Sequence, residues 1–120
     1  MKINASSRAA FTLVEIMIVV AIIGLLAAIA IPNFVRARNK SQANSCINNL
    51  RQLDAAKQQW ALENKQQDSS VPTAADVQPY LKNNLFPHCP SHGTYSLNAA
   101  NTDPTCNLYI DPFNHVLPAP

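Results

Sequence analysis

The chain has 120 residues, with nine lysines and arginines against seven aspartates and glutamates, and a formal net charge of +2. This length is enough for one domain, and the near balance of charge excludes the strongly basic surface typical of nucleic-acid binding. We therefore expect no nucleic acid as a partner.

Residues 1–10 form a short basic leader that contains Lys2 and Arg8, no acid, and small residues up to Ala10. An ordinary secretory signal has its small-residue cleavage site after its apolar segment. Here the small residues come before the apolar segment. Cleavage between Ala10 and Phe11 would remove the leader, keep the apolar helix, and create a free amine four residues before Glu15.

The segment from Phe11 to Pro32 predicts a helix that spans a membrane. From Phe11 to Ile31, only Thr12 and Glu15 are clearly polar. At about 1.5 Å per residue this stretch would span about 31 Å, the hydrocarbon thickness of a bilayer. A charge at this depth costs at least about 2.5 kcal/mol, so Glu15 needs a proton or a partner from outside its own span. A plain single-span anchor explains the length but not this acid.

The run Ala10–Glu15 (AFTLVE), followed by an apolar stretch with Gly24 and Pro32, strongly resembles the prepilin signature of type IV pilins and type II secretion pseudopilins. The resemblance implies an α+β, pilin-like fold in which one long N-terminal helix packs against a small antiparallel β-sheet. It implies loosening of the helix between Gly24 and Pro32. The family prefers Gly at the position of Ala10, and Ala is small enough that we still expect cleavage.

The resemblance also implies how the chain is processed and assembled. A prepilin peptidase that is also an N-methyltransferase would cut between Ala10 and Phe11 and methylate the new amine of Phe11. Glu15 would pair with the N-terminal amine of a neighbouring subunit in a helical homo-oligomeric filament. The chain would cross the bacterial inner membrane once, with its leader in the cytoplasm and its distal domain outside. The remaining partner would be a secretion or pilus assembly platform.

Four segments are predicted: a leader at 1–10, a transmembrane and assembly helix at 11–32, the amphipathic half of the same helix at 33–67, and a distal loop and β domain at 68–120. In the amphipathic half, apolar residues recur at three-and-four spacing and Lys57 interrupts their stripe. The helix is expected to run from Phe11 to about Lys65.

The distal part is predicted to combine a short helix with two strands. Thr73 and Asp76 have the spacing of a capping box, which indicates a helix start within Val71–Leu85. Two stretches alternate in the way strands do, Thr94–Asn98 and Cys106–Ile110, and a turn is expected between them. This sheet should cover the apolar stripe of the long helix.

Cys89 and Cys106 flank the first strand candidate, and a disulfide between them would stabilise a thin sheet by about 3 kcal/mol. Bridges that involve Cys46, or no bridge, are alternatives. Cys89 and His92 also have the spacing of zinc ligands, and Cys106 and His115 could complete such a site. Because zinc would compete with the bridge for the same thiols, we expect no cofactor and no metal.

Calcium is not expected either. Asp103 and Asp111 are each followed by Pro, and no Asp-x-Asp-x-Asp pattern appears near them. No nucleophile and base, phosphate loop or carboxylate pair stands out, so an enzyme is not expected. What the resemblance implies is a structural subunit of a pilin-like filament, and the compact distal half and the run Cys46–Leu53 resemble a (major) pseudopilin of type II secretion most. The alternatives are a type IV pilus or DNA-uptake pilin, or a membrane-anchored binding module.

Overall fold

The computed structural model describes residues 10–110 and 113–118. Within them the chain forms one long helix, one short helix, two 3₁₀ helices and four short strands. Their bounds are α1 Leu13–Glu63, α2 Ala74–Val77, 3₁₀ helices Gln78–Tyr80 and Lys82–Asn84, β1 Tyr95–Ser96, β2 Thr105–Cys106, β3 Tyr109–Ile110 and β4 Phe113–Asn114. The predicted α+β, pilin-like fold is confirmed. The chain divides into two compact units between Arg36 and Ala37. The four predicted segments stay predictions, and residues 1–9 of the leader lie outside the described residues.

In the first unit, helix α1 is long and apolar enough to cross a membrane, and none of the side chains in that stretch is buried within the chain. A helix that is apolar on every side needs lipid or other helices around it. The apolar part of this helix is therefore the candidate membrane span. Helical structure continues through Gly24 and Pro32, and loosening between them remains a prediction for the filament.

In the second unit, one face of α1 is buried and forms half of the hydrophobic core. The buried positions on this face recur at three-and-four spacing: Ala43, Cys46, Leu50, Leu53, Ala56 and Lys57. The other half of the core comes from the distal segment: Val77, Leu81, Cys89, Leu97 and Cys106. The prediction that the distal residues cover the stripe of α1 is confirmed.

The short helix α2 begins with the predicted capping box. The Thr73 side chain accepts a hydrogen bond from the Asp76 backbone N–H, and the Asp76 carboxylate accepts one from the Thr73 N–H, at 2.8 Å between the donor and acceptor atoms. The helix then places Val77 in the core without exposure, and Leu81 follows it at 7% exposure.

The strands form two separate antiparallel ladders rather than one sheet. β1 pairs with β2, with Tyr95 opposite Cys106, and β3 pairs with β4. The prediction of a single second strand over Cys106–Ile110 is therefore corrected. The chain leaves the first ladder after Cys106, and Tyr109–Ile110 pairs with Phe113–Asn114, a strand that the sequence pattern did not indicate.

Candidate functional site

The start of α1 carries a reciprocal pair of hydrogen bonds between Thr12 and Glu15. The backbone N–H of Thr12 donates to Oε2 of Glu15 at 3.2 Å, and the backbone N–H of Glu15 donates to Oγ1 of Thr12 at 3.2 Å. This is a capping box, which satisfies two N–H groups that a helix start otherwise leaves without partners. Glu15 therefore has a partner inside its own chain, which the sequence analysis missed although T-x-x-E is a known capping pattern.

The proposed cleavage position lies just before this cap. Ala10 and Phe11 are exposed and belong to no helix or strand, and the side chain of Phe11 is 80% exposed. A peptidase requires an accessible, non-helical backbone at the bond that it cuts. The local structure is thus compatible with the predicted cut and with methylation at Phe11, both of which stay predictions.

A second candidate site lies in the second compact unit, Ala37–Pro120, which we call the distal unit. Three thiols and one imidazole meet there. Their sulfur and ring-nitrogen atoms all lie within 4.8 Å of one another, and all four side chains are buried; we call them the thiol–imidazole cluster: Cys46, Cys89, Cys106 and His115. Sγ of Cys89 lies 3.5 Å from Nδ1 of His115. Helix α1, the loop before β1, strand β2 and the residue after β4 each supply one member. These are the residues that could hold a metal.

Backbone groups make one member of the cluster more acidic than the others. Burial raises the pKa of the Cys89 thiol, but N–H groups of Ser91 and Gly93 and the two neighbouring thiols donate to its sulfur, so that its pKa falls below the ordinary value. Burial dominates at the other two sulfurs and raises the pKa of Cys46 to about 12 and that of Cys106 above its ordinary value. Among the three thiols of the cluster, Cys89 is therefore the most acidic.

Helix α1 also positions the loop that carries Cys89. Nδ2 of Asn49, one turn after Cys46, donates to the backbone oxygen of His88 at 3.0 Å and to the hydroxyl of Tyr95 at 3.1 Å. The Tyr95 side chain is itself partly buried against the core. His88 precedes Cys89, and Tyr95 lies opposite Cys106. Both are thereby bonded to the same turn of helix α1.

Gly93 has no side chain, and the space that a side chain would need is filled by Cys106 and Leu108. A Cβ atom at position 93 would lie 2.6 Å from Sγ of Cys106 and 2.9 Å from Cδ1 of Leu108. Atoms at that distance overlap, so any larger residue would displace the thiol or the leucine. The glycine is required here by close approach.

The structure rearranges the predicted roles of the distal residues. Cys46, expected to be the unused cysteine, belongs to the cluster, whereas His92 is exposed and is not a member. His115 is buried, with 1% exposure, and burial lowers its pKa. The three thiols are unbonded in this structure, and the Cys89–Cys106 disulfide stays a prediction.

Of the two residues considered for calcium, only Asp103 lies in the part of the chain that the structure describes, and it is not a member of the cluster. Asp103 is exposed, and Asp111 lies outside the described residues. The Cys89–His115 pair has the geometry of a nucleophile and base, yet both side chains are almost fully buried, at 5% and 1% exposure. This burial gives a substrate little access to the sulfur, so the arrangement does not support catalysis by the pair.

A buried lysine joins helix α1 to the loop after β1. Lys57 has no exposed surface, and its Nζ donates to the backbone oxygens of Leu97 at 2.8 Å, Ala99 at 2.9 Å and Thr102. Burial lowers the pKa of Lys57, while the charges of Asp54 and Asp103 partly oppose this shift. Three carbonyl groups match the three N–H bonds of an ammonium group. The lysine was recognised in the sequence only as an interruption of the stripe.

The long helix, the small antiparallel ladders and the capped helix start give the chain a pilin-like fold. A family model described as "Prokaryotic N-terminal methylation motif" matches residues 5–31. The predicted recognition as a type IV pilin-like or pseudopilin-like chain is confirmed, since the relatives below are proteins of both kinds.

Three relatives show where this similarity lies. The chain is 51% identical over 53 residues to the type IV major pilin protein PilA of Myxococcus xanthus, a match that covers 44% of this chain and 24% of the relative. It is 44% identical over 68 residues to a fimbrial protein of Pseudomonas aeruginosa, covering 57% of this chain and 44% of the relative. It is 30% identical over 79 residues to the type II secretion system core protein G of Pectobacterium carotovorum subsp. carotovorum, covering 61% and 51%.

The chain thus spans between about a quarter and about half of the length of these relatives. Their names describe pilus and secretion proteins rather than enzymes. No solved structure matches the chain.

Proposed function

We propose that this chain is a structural subunit of a pilin-like filament and not an enzyme. The observation that carries the proposal is the coincidence of three features at one place. The methylation-motif match ends within the exposed apolar helix, the exposed Ala10–Phe11 bond precedes that helix, and Thr12 and Glu15 cap it. Prepilin peptidase would cut this bond and methylate the amine of Phe11.

Assembly would use the apolar stretch of α1 as the contact between subunits. In a bilayer its side chains face lipid, and in a filament they would face the same stretch of neighbouring copies. The carboxylate of Glu15 is bonded to the Thr12 N–H in the single chain. The positively charged methylated amine of a neighbouring Phe11 would pair with this carboxylate. A buried carboxylate without such a partner is strongly destabilising. Glu15 would thereby set the register of one subunit against the next.

The location follows from the same elements. The apolar helix would be held in the bacterial inner membrane before assembly, with the leader in the cytoplasm and the distal unit outside. The assembly platform of the filament machine would extract the subunit from the membrane and add it to the filament.

As the finer proposal, the machine is a type II secretion system and the chain a major pseudopilin. In its support, the match to core protein G covers 61% of this chain, more than the matches to the type IV pilin and the fimbrial protein quoted above. The second candidate is a type IV pilus or DNA-uptake filament. The higher identity to the Myxococcus pilin, at 51%, favours that candidate.

The filament proposal is tested by Glu15→Ala, with Glu63→Ala near the other end of the same helix as the matched control. We expect both variants to reach the membrane and lose the leader. Only Glu15→Ala should fail to enter filaments, as measured by shear or detergent fractionation followed by immunoblotting. Normal incorporation of Glu15→Ala would contradict the proposed role of this acid.

The machine is tested by deleting the gene and measuring two outputs in parallel. A secretion pseudopilin predicts loss of secreted proteins from the medium with surface pili intact. A pilus subunit predicts loss of pili with secretion intact, and that result would reject the finer proposal while leaving the filament proposal in place.

A further inference from the structure

We propose that the thiol–imidazole cluster binds one structural Zn²⁺ ion through its three sulfur atoms and one imidazole nitrogen. Such a site is closed, because the protein supplies four ligands and no position is left for water. Zinc binding here would be a property of the distal unit and would not depend on filament assembly.

The spacing of the cluster fits a tetrahedral zinc site. With Zn–S bonds of about 2.3 Å and a Zn–N bond of about 2.0–2.1 Å, tetrahedral angles place S and N about 3.6 Å apart and two sulfurs about 3.8 Å apart. Sγ of Cys89 and Nδ1 of His115 are separated by 3.5 Å. The remaining distances between the donor atoms do not exceed 4.8 Å. Small side-chain rotations would therefore bring all four donors to bonding distance.

Two of the sulfurs accept hydrogen bonds from backbone N–H groups of the residues that follow them. The backbone groups of Ser91 and Gly93 hydrogen-bond to the sulfur of Cys89, and that of Leu108 hydrogen-bonds to the sulfur of Cys106. In each loop, the backbone N–H of the residue two positions after the cysteine hydrogen-bonds to its sulfur. Such N–H donors stabilise the negative charge of zinc-bound sulfur and fix its direction.

The binding step balances without an oxidant. One Zn²⁺ ion forms three Zn–S bonds and one Zn–N bond, three S–H bonds break, and three protons pass to solvent. The imidazole of His115 donates its lone pair and keeps its other N–H. The site then carries a net charge of −1, and no electrons are transferred.

A disulfide accounts for less of this arrangement than zinc does. A bridge joins two sulfurs and would leave the third thiol and a buried imidazole without a role, although all four side chains converge. The four members also come from four segments, so one ion would tie helix α1 to the loop before β1, to β2 and to the residue after β4. A unit with two-residue strands is the kind of small fold that depends on such a cross-link.

The test uses the full chain, extracted from membranes in detergent without chelator or reductant. We expect about one zinc per chain by elemental mass spectrometry. After denaturation with chelator we expect three titratable thiols. Protein that lacks zinc and carries a disulfide, seen as one free thiol and an intact mass two hydrogens lighter, would overturn the proposal.

Metal reconstitution of the metal-free chain is a second test, and its result does not depend on whether zinc survives the purification. Reduced, metal-free full chain is titrated with Co²⁺ and then with Zn²⁺. We expect the visible absorption of tetrahedral cobalt with thiolate ligands to saturate at about one equivalent and to be abolished by zinc. Reduced protein that gives no such spectrum would also overturn the proposal.

Variants identify the ligands. His115→Asn and Cys46→Ser should each lose the bound zinc, while His92→Asn, the matched control in the exposed loop, should retain it. Cys46→Ser also separates zinc from the predicted Cys89–Cys106 bridge, because a bridge would survive this change. Zinc retained at the wild-type level in both His115→Asn and Cys46→Ser would contradict the assignment. If these variants do not fold, the cobalt spectrum of the wild-type chain still decides.

Discussion

Nζ of Lys57 lies 2.8 Å from the backbone oxygen of Leu97, a residue forty positions later in the chain. The same nitrogen donates to the carbonyl groups of Ala99 and Thr102. A charged group with no exposed surface is stable only when its N–H bonds are all used. This lysine therefore holds the loop after β1 on the apolar face of helix α1.

Lys57→Met should destabilise the distal unit by about 2–3 kcal/mol, because three carbonyl groups lose their donor while the new side chain keeps the volume. Lys40→Met, an exposed lysine on the same helix, should change stability little. Thermal unfolding of the detergent-solubilised chain, followed by near-UV circular dichroism, measures the difference. Equal midpoints for the two variants would show that the buried bonds contribute nothing net.

Gly93→Ala should destabilise the distal unit by about 1–3 kcal/mol, because the new methyl group overlaps Sγ of Cys106. Gly24→Ala is the matched control, since a Cβ at that position meets nothing within 4 Å in the single chain. Denaturant unfolding monitored by Trp60 fluorescence compares the two. A Gly93→Ala midpoint equal to the wild-type value would mean that the loop moves aside freely.

Thr73→Ala should cost about 1 kcal/mol, because it removes the side chain that caps α2. Ser69→Ala, an exposed position shortly before the cap, is the control and should have no effect. The loss should appear as faster amide hydrogen exchange over 73–81, measured by mass spectrometry. Unchanged exchange in that segment would indicate that packing of Val77 alone holds the helix start.

The capping box also predicts a pH dependence. The backbone N–H of Thr73 and its hydroxyl group hold the pKa of Asp76 below its ordinary value. The folded state thus binds the proton less readily than the unfolded state, so this contribution is present above the unfolded pKa and is lost as the pH falls through the folded pKa. The protection factor over 73–81, which compares exchange with the intrinsic rate at the same pH, should fall in acid in the wild type and should lack this acid step in Asp76→Asn.

The repeating elements could be predicted from the sequence because short-range rules govern them. The long helix, observed at Leu13–Glu63, was expected from Phe11 to about Lys65, and the cap at Thr73 was expected from its spacing to Asp76. Helix ends and caps depend on residues three or four positions apart, which a sequence displays directly.

The long-range contacts could not be predicted in the same way. Cys46 and His115 are separated by more than half of the chain, and nothing in their spacing shows that they meet. The burial of Lys57 depends on three carbonyl groups of a loop that has no periodic pattern. The stretch Cys106–Ile110 was predicted as a single strand, because alternation alone does not show where a chain changes its pairing partner.

The central claim is that the chain is cut before Phe11 and methylated there while the apolar helix stays in the membrane. Intact-mass measurement of the protein purified from membranes, followed by sequencing of its N-terminal peptide, tests this most directly. The account predicts a chain that begins at Phe11 and is heavier by one methyl group than the unmodified residues 11–120. A membrane-bound chain that still carries residues of the leader before Phe11 would contradict it.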